Sequence, residues 1–191
     1  MGLEYIKETE CLLPEMVESF KYHGDFYRMA YLTYEIIGDY KMALSYAQSG
    51  YEYYRRLPFS HVYAESSQLI RMARCYLYLG ELPQGKSALE IAILSYREGS
   101  MNWFVCGYQR VMIDIHLKEY NRAYAFHNNM ISQRSFKSQN DEVRSFNLLV
   151  GGYLEFLKRV GYIDGDVNTR CLLYTSPSPR DRTRSRMPSS A

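Results

Sequence analysis

One short pattern recurs along this chain and limits what it can fold into. A Tyr-containing apolar stretch is followed by a Gly or polar turn, then by a stretch carrying small residues. It reads AYLTYEIIGDYKMAL at 30–44, ARCYLYLGELPQGKSAL at 73–89, IDIHLKEYNRAY at 113–124 and YLEFLKRVGYIDGD at 153–166. The turn positions are Gly38, Gly80, Lys118 and Gly161, spaced by 42, 38 and 43 residues. Self-similarity at such a period points to stacked supersecondary units, each unable to bury its apolar face alone. No run alternates with period two over the length of a strand, so every unit is expected to be a pair of helices. The first helices are predicted over 25–37, 60–79, 101–117 and 141–160, and the second over 40–56, 83–98 and 120–134. Gly38 and Gly80 follow apolar helix ends, where a left-handed residue closes a helix. Pro83 falls in the first turn of its helix, where its missing N–H costs nothing. Ser60 precedes one helix, and Ser138 with Asp141 reads as a capping box before another. Gly99 follows the periodic run Leu89, Ala92, Ile93, Tyr96. Residues 3–22 add a helical stretch without a hairpin partner, in which Pro14 marks a helix start.

These units resemble tetratricopeptide repeats, which pair a small residue and a Tyr on the first helix with Gly-Asp-Tyr at the turn and Ala on the second. Ala30, Tyr34, Gly38-Asp39-Tyr40 and Ala43 match in the first unit, and Ala73, Tyr76, Gly80, Gly85 and Ala92 in the second. The third unit keeps Tyr120 and Ala123 but has Lys118 in place of Gly, and the fourth keeps Gly161-Tyr162. The period, near 40 where the family has about 34, departs from the pattern and is closer to that of HEAT-like arrays, the alternative fold. The resemblance implies an all-α, right-handed α-solenoid of about three full repeats with partial repeats at both ends. Its expected organisation is an N-terminal helix or partial repeat over 1–23, a repeat array over 24–166 and a disordered tail over 167–191. Ala43, Ala73, Gly85, Ala92 and Ala123 are expected at helix–helix contacts, because adjacent layers approach closely only where side chains are short.

The tail changes composition abruptly at Cys171. CLLYTSPSPRDRTRSRMPSSA resembles translated read-through of a sequencing adapter, which implies that the natural protein is interrupted here; the alternative is an Arg-rich tail that binds RNA or acidic surfaces. The tail also distorts the charge. Arg180, Arg182, Arg184 and Arg186 against Asp181 give it +3, leaving −1 on residues 1–170 of a chain whose total is +2. A near-neutral body offers no general electrostatic case for nucleic acid. No apolar run approaches the roughly 18 residues that span a bilayer, and MGLEYIKETE lacks the basic and apolar regions of a signal peptide. The expected location is therefore cytoplasmic, with Cys11, Cys75, Cys106 and Cys171 as buried, reduced thiols.

Searches for chemistry return little. The phosphate-loop, dinucleotide, nucleophile-elbow and zinc-protease motifs are missing. His61 and Glu65 stand four apart without a third ligand of matching spacing. His116 and His127 flank a turn and read as surface or groove residues. Asp164, Asp166 and Asn168 begin like a calcium loop but lack its Gly and Glu. Gly151-Gly152 lies inside an apolar helical pattern and either loosens it or permits close packing. Neither an enzyme activity nor a cofactor is expected.

What remains is the face that the first helix of each tetratricopeptide repeat turns to a concave groove. Carried over through the turns, that face comprises Arg28, Leu32, Glu35 and Ile36; Ile70, Arg74, Leu77 and Tyr78; Tyr108, Met112, Ile115 and His116; and Glu155, Lys158 and Arg159. It is apolar and aromatic in the middle and charged at its ends, which suits a protein or peptide partner with an apolar centre. Arg74 is the candidate for a carboxylate or backbone carbonyl. The same residues could instead serve only helix packing. The resemblance implies a protein–protein or peptide-binding scaffold; the alternatives are the peptide-sensing segment of a bacterial regulator and an accessory domain of an enzyme. The 141–160 helix is apolar on more than one face, so an exposed patch and self-association through it are expected.

Overall fold

The computed structural model describes residues 2–13 and 20–164; Pro14 and the tail lie outside them. Among these residues the chain forms eight α-helices and one 3-10 segment, with no strand: α1 Gly2–Leu12, α2 Phe20–Ile36, α3 Tyr40–Arg56, α4 Val62–Leu79, α5 Leu82–Ile93, α6 Met101–His116, α7 Tyr120–Ser132, the 3-10 segment Arg134–Ser138, and α8 Asp141–Arg159. Helices that are consecutive in the chain pack on one another.

Four turns share one geometry. Gly38, Gly80, Lys118 and Gly161 all take positive φ, at 79°, 78°, 61° and 84°. Each closes its helix with the same bond from the residue after it to the carbonyl five back: Asp39 to Tyr34, Glu81 to Tyr76, Glu119 to Asp114 and Tyr162 to Leu157, all at 2.8–2.9 Å. This is the Schellman ending, which satisfies carbonyls that the helix leaves without donors. Lys118 adopts it against the steric preference of an L side chain. Asp39 then caps α3 by accepting from the Met42 N–H at 3.1 Å, whereas the side chains of Glu81 and Glu119, at the equivalent positions, make no capping bond.

Small residues occupy the closest helix contacts. Ala43, Ala92 and Ala123 are fully buried and Ala73 is 1% exposed. A Cβ on Gly85 would sit 2.9 Å from Ile113 Cδ1 and 3.3 Å from the Ala73 carbonyl, so α4, α5 and α6 meet around a position with no room for a side chain. The core is three adjoining clusters. One joins α1 to α2, α3 and α4 around Tyr31 and Ala47; one joins α4, α5 and α6 around Leu89 and Ile113; one runs from α6 to α8 around Phe104, Met130 and Leu154. Tyr side chains bridge between layers by ring contacts, as between Tyr34 and Tyr46 at 5.4 Å.

Several boundaries differ from the sequence reading. α5 stops at Ile93, not 98: Ser95 and Tyr96 donate three residues back, and Tyr96 reaches the core from a turn. α4 starts at Val62 with His61 as its N-cap, so Ser60 does not cap it. The cap of α8 is Asn140, which accepts from the Val143 N–H at 2.9 Å; Ser138 belongs to the 3-10 segment, and no Ser138–Asp141 capping box forms. That segment was not anticipated, and it delivers Phe136 to Phe104 with ring centroids 5.6 Å apart. Cys75 and Cys106 are buried, and burial pushes both thiols up to about 12, leaving them inert. Cys11, however, is exposed.

One buried charge ties three helices together. Asp114 on α6 is fully buried, and Lys86 of α5, Arg122 of α7 and Arg110 of α6 approach it at 3.6, 3.8 and 3.9 Å. Glu90 and Glu119 complete the set by pairing with Arg122 and Lys86. Burial raises the Asp114 pKa, and Arg110, Arg122 and Lys86 oppose that shift.

Candidate functional site

The first helices of the units, α2, α4, α6 and α8, line two connected clefts. The larger encloses about 660 Å3. Glu35 and Ile36 form its wall on α2, with Arg74, Leu77 and Tyr78 from α4, Tyr108, Gln109 and Met112 from α6, and Val143 and Phe146 from α8. The second, of about 520 Å3, continues between α6 and α8. It is lined by Tyr108, Met112, Ile115, His116, Phe146, Leu149, Val150 and Tyr153. Of the residues read from the sequence, Glu35, Arg74, Tyr78, Tyr108 and Met112 thus share one cleft, and Ile115 and His116 lie in its extension.

A polar chain crosses the floor of the larger cleft. Tyr31 on α2 donates to Glu35 Oε1 at 2.7 Å, and the same oxygen accepts from Arg74 Nη1 at 3.0 Å. Gln109 of α6 is 5% exposed. With its amide turned to satisfy both neighbours, it donates to the Ile70 carbonyl at 3.1 Å and accepts from Arg74 Nη2 at 3.3 Å. Burial and the bond to Glu35 push the Tyr31 phenol well above its ordinary value. Three helices are therefore held at a fixed spacing by one guanidinium. Arg74, read from the sequence as a candidate for a carboxylate or backbone carbonyl, is already paired with the Glu35 carboxylate. With 42% of its side chain exposed, it offers the cleft an edge of a fixed cation. Beside it, Tyr78 stacks on Tyr40 at 4.3 Å between centroids, and Tyr108 meets Phe146 at 5.2 Å. Apart from this chain, Asn147 and His116, the walls are apolar or aromatic.

Other expected positions fall elsewhere. Arg28 lies at a separate cleft of about 350 Å3 with Gln68 and Arg71, and pairs with Asp25 at 3.2 Å. Leu32 and Ile70 are half-buried and pack against the core clusters, so helix packing is their role. In the fourth unit the carry-over fails. Glu155 and Lys158 turn toward α7, where both bond the Tyr124 hydroxyl, and α8 presents Phe146, Leu149, Val150 and Tyr153 to the cleft in their place. His127 is no surface residue. It is 3% exposed, and its Nε2 donates to the Asn147 carbonyl of α8 at 2.7 Å. A Cβ on Gly151 would lie 2.7 Å from its ring, so this Gly serves close packing.

Among the described residues no group of three or more His, Cys, Asp or Glu could hold a metal ion, and no helix is long and apolar enough to cross a membrane. No family model matches the chain, and neither a curated protein nor a solved structure matches it.

Proposed function

We propose that the chain is a tetratricopeptide-like repeat scaffold, a right-handed solenoid of helical hairpins, that holds a peptide segment of a protein partner across α2, α4, α6 and α8. The observation that carries this reading is the continuous cleft lined by equivalent helices of successive units, each ended by the same left-handed turn. Its walls suit a segment with aromatic or aliphatic side chains. Tyr108, Met112 and Phe146 offer apolar contact, and the Arg74 edge faces the main-chain carbonyls of the bound segment. The guanidinium is oriented by Glu35 and Gln109 before any ligand arrives, which lowers the ordering cost of binding.

The test is selection of peptides from a displayed random library on the full chain, followed by titration of a selected peptide. Binding is expected to fall more than about tenfold in the Arg74→Ala/Tyr108→Ala double variant, equivalent to roughly 1.4 kcal/mol, with the helical circular dichroism unchanged. Equal affinity for the double variant, or failure to select any peptide carrying apolar residues, would remove the cleft as the site.

A further inference from the structure

The cleft beside Arg28 differs in kind from the two that form the groove. It encloses about 350 Å3 between α2, α3 and α4, and none of the residues lining it borders the other two. Its walls are polar, with only Gly24 and Ala64 lacking a polar side chain. Arg71 is the unusual member. Arg71, Arg74, Arg110 and Arg122 are the half-buried arginines among the described residues. Arg74 pairs with Glu35, and Arg110 and Arg122 pair with Glu90 and Asp114. Arg71 has no carboxylate partner among the described residues. It lies instead over the Tyr31 ring, 5.6 Å from the centroid. A cation taken out of water without a counter-charge is costly. Burial accordingly lowers the Arg71 pKa; Tyr31 and Tyr54 oppose this and Arg28 adds to it.

We infer that this cleft binds the singly protonated phosphate of a phosphate monoester, whose oxygens accept from Arg71, Arg28 and Tyr54 and whose hydroxyl donates to Gln68. Charge, direction and the acceptors in the wall each narrow the choice. Arg28 pairs with Asp25 at 3.2 Å, so Arg71 leaves the cleft one uncompensated positive charge, which matches a monoanion. The donors stand on three walls, Arg28 on α2, Arg71 on α4 and the Tyr54 hydroxyl on α3. That hydroxyl comes up against α2 because residue 24 is Gly; a Cβ there would collide with it. A planar carboxylate is satisfied by one guanidinium fork, whereas a tetrahedral oxyanion takes donors from several sides. Gln68 lines the same cleft and is 1% exposed, and its side-chain oxygen has no hydrogen-bond partner among the described residues. A buried acceptor calls for a ligand that carries a proton. Carboxylate and sulfate carry none at neutral pH, and sulfate brings two charges. The cavity is larger than a phosphoryl group, which leaves room for the group that bears it. The site stands apart from the peptide reading, since the two share no lining residue.

Calorimetric titration of the full chain with inorganic phosphate tests this, at constant ionic strength and about pH 6, where the singly protonated form is well populated. The expected result is saturable binding, about tenfold tighter than that of sulfate, which lacks the proton for Gln68. Sulfate also controls for any general gain in positive charge at this pH. Arg71→Gln, with unchanged circular dichroism, weakens phosphate binding by about tenfold or more. Arg28→Gln, at an exposed position where folding is not at stake, leaves Asp25 to cancel Arg71 and weakens it by a similar factor. Arg159→Gln, far from the cleft on α8, changes nothing. Glycerol phosphate and acetyl-phosphoserine amide then report the carrier: the tighter of the two gives the source as a small molecule or a protein side chain. Absence of saturable phosphate binding, sulfate bound as tightly, phosphate affinity indifferent to both Arg71→Gln and Arg28→Gln, or failure of both esters to bind would each overturn the proposal.

Discussion

Replacing Ala73 with Leu puts the packing argument to the test. Ala73 lies on α4, 1% exposed, in the cluster with Leu69, Ala88, Leu89, Ala92 and Ile113. Its carbonyl is 3.3 Å from where a Cβ on Gly85 would stand, and Ile113 Cδ1 is 2.9 Å from that same point. The three carbons that Leu adds must enter a gap already closed by a glycine. Leu and Ala differ little in helix propensity, so the change isolates packing. Helix separation or off-rotamer side chains then cost roughly 1–3 kcal/mol, despite the added apolar area. For a domain of this size each kcal/mol moves the midpoint by about 2–4 °C, so a fall of about 2–12 °C is expected. Thermal unfolding followed by circular dichroism at 222 nm reads it, a wavelength chosen for helix content. An unchanged or higher midpoint would mean that α4 and α5 are not pressed together here, and the small-residue account of the layers would fall with it.

Lys118→Gly relieves an L residue of a left-handed φ and removes an exposed side chain; urea unfolding should show a gain of about 0.5–1 kcal/mol. Asp114→Ala leaves Lys86, Arg110 and Arg122 crowded without their carboxylate and should destabilise by about 2–3 kcal/mol in the same assay, less than a fully buried pair because those cations are partly solvated. His127 responds to pH: burial lowers its pKa below 6.5, while its bonds to Asn147 and Asn128 and the nearby Glu155 oppose this. Its unfolded form binds the extra proton, so the stability it supports is present above about pH 6.5 and is lost as pH falls toward the folded value. Protection of the α8 amides, relative to their intrinsic exchange rate, should therefore fall on acidification, and a His127→Gln variant that kept the same pH dependence of protection would refute this assignment.

The sequence displays the turns and the small residues clearly, because both answer to local sterics. Gly38, Gly80 and Gly161 stand where a helix must end in a left-handed residue, and Ala or Gly stands where two helices cross. Lys118 shows that the register can survive the loss of the signal residue. The end of α5 was not legible, since the 3.6 period runs on through Tyr96 while the backbone leaves the helix after Ile93. Tyr96 still reaches the core, so periodicity and burial agree where the backbone does not. The polar floor of the cleft was half visible. Glu35 and Arg74 were singled out, but their mutual pairing and the role of Gln109 depend on side chains 35 to 39 residues apart, which no local pattern relates.

The rotation of α8 is the least legible feature, and it has the largest consequence for function. Counted back from the left-handed turns, Leu149 and Phe156 match Gln68 and Cys75 of α4 and Cys106 and Ile113 of α6. Those earlier residues face the preceding hairpin: Gln68 lies against Gly50, Cys106 donates to the Leu89 carbonyl and Ile113 touches Gly85. In α8 the equivalent positions point outward, and Asn147, Gly151 and Leu154 meet the preceding layer in their place. An apolar pattern cannot choose between two apolar faces, since either buries comparable area. The choice falls to polar geometry. The His127 ring fills the space beside Gly151 and holds the Asn147 carbonyl, while the Asn147 amide returns to the Val143 carbonyl at 2.8 Å. Turning α8 to the register of α4 and α6 would bury Leu149 and Phe156 but strand that imidazole without its acceptor, and an unsatisfied buried polar group costs about 1–3 kcal/mol. A pair of hydrogen bonds thus leaves the second apolar face of α8 exposed.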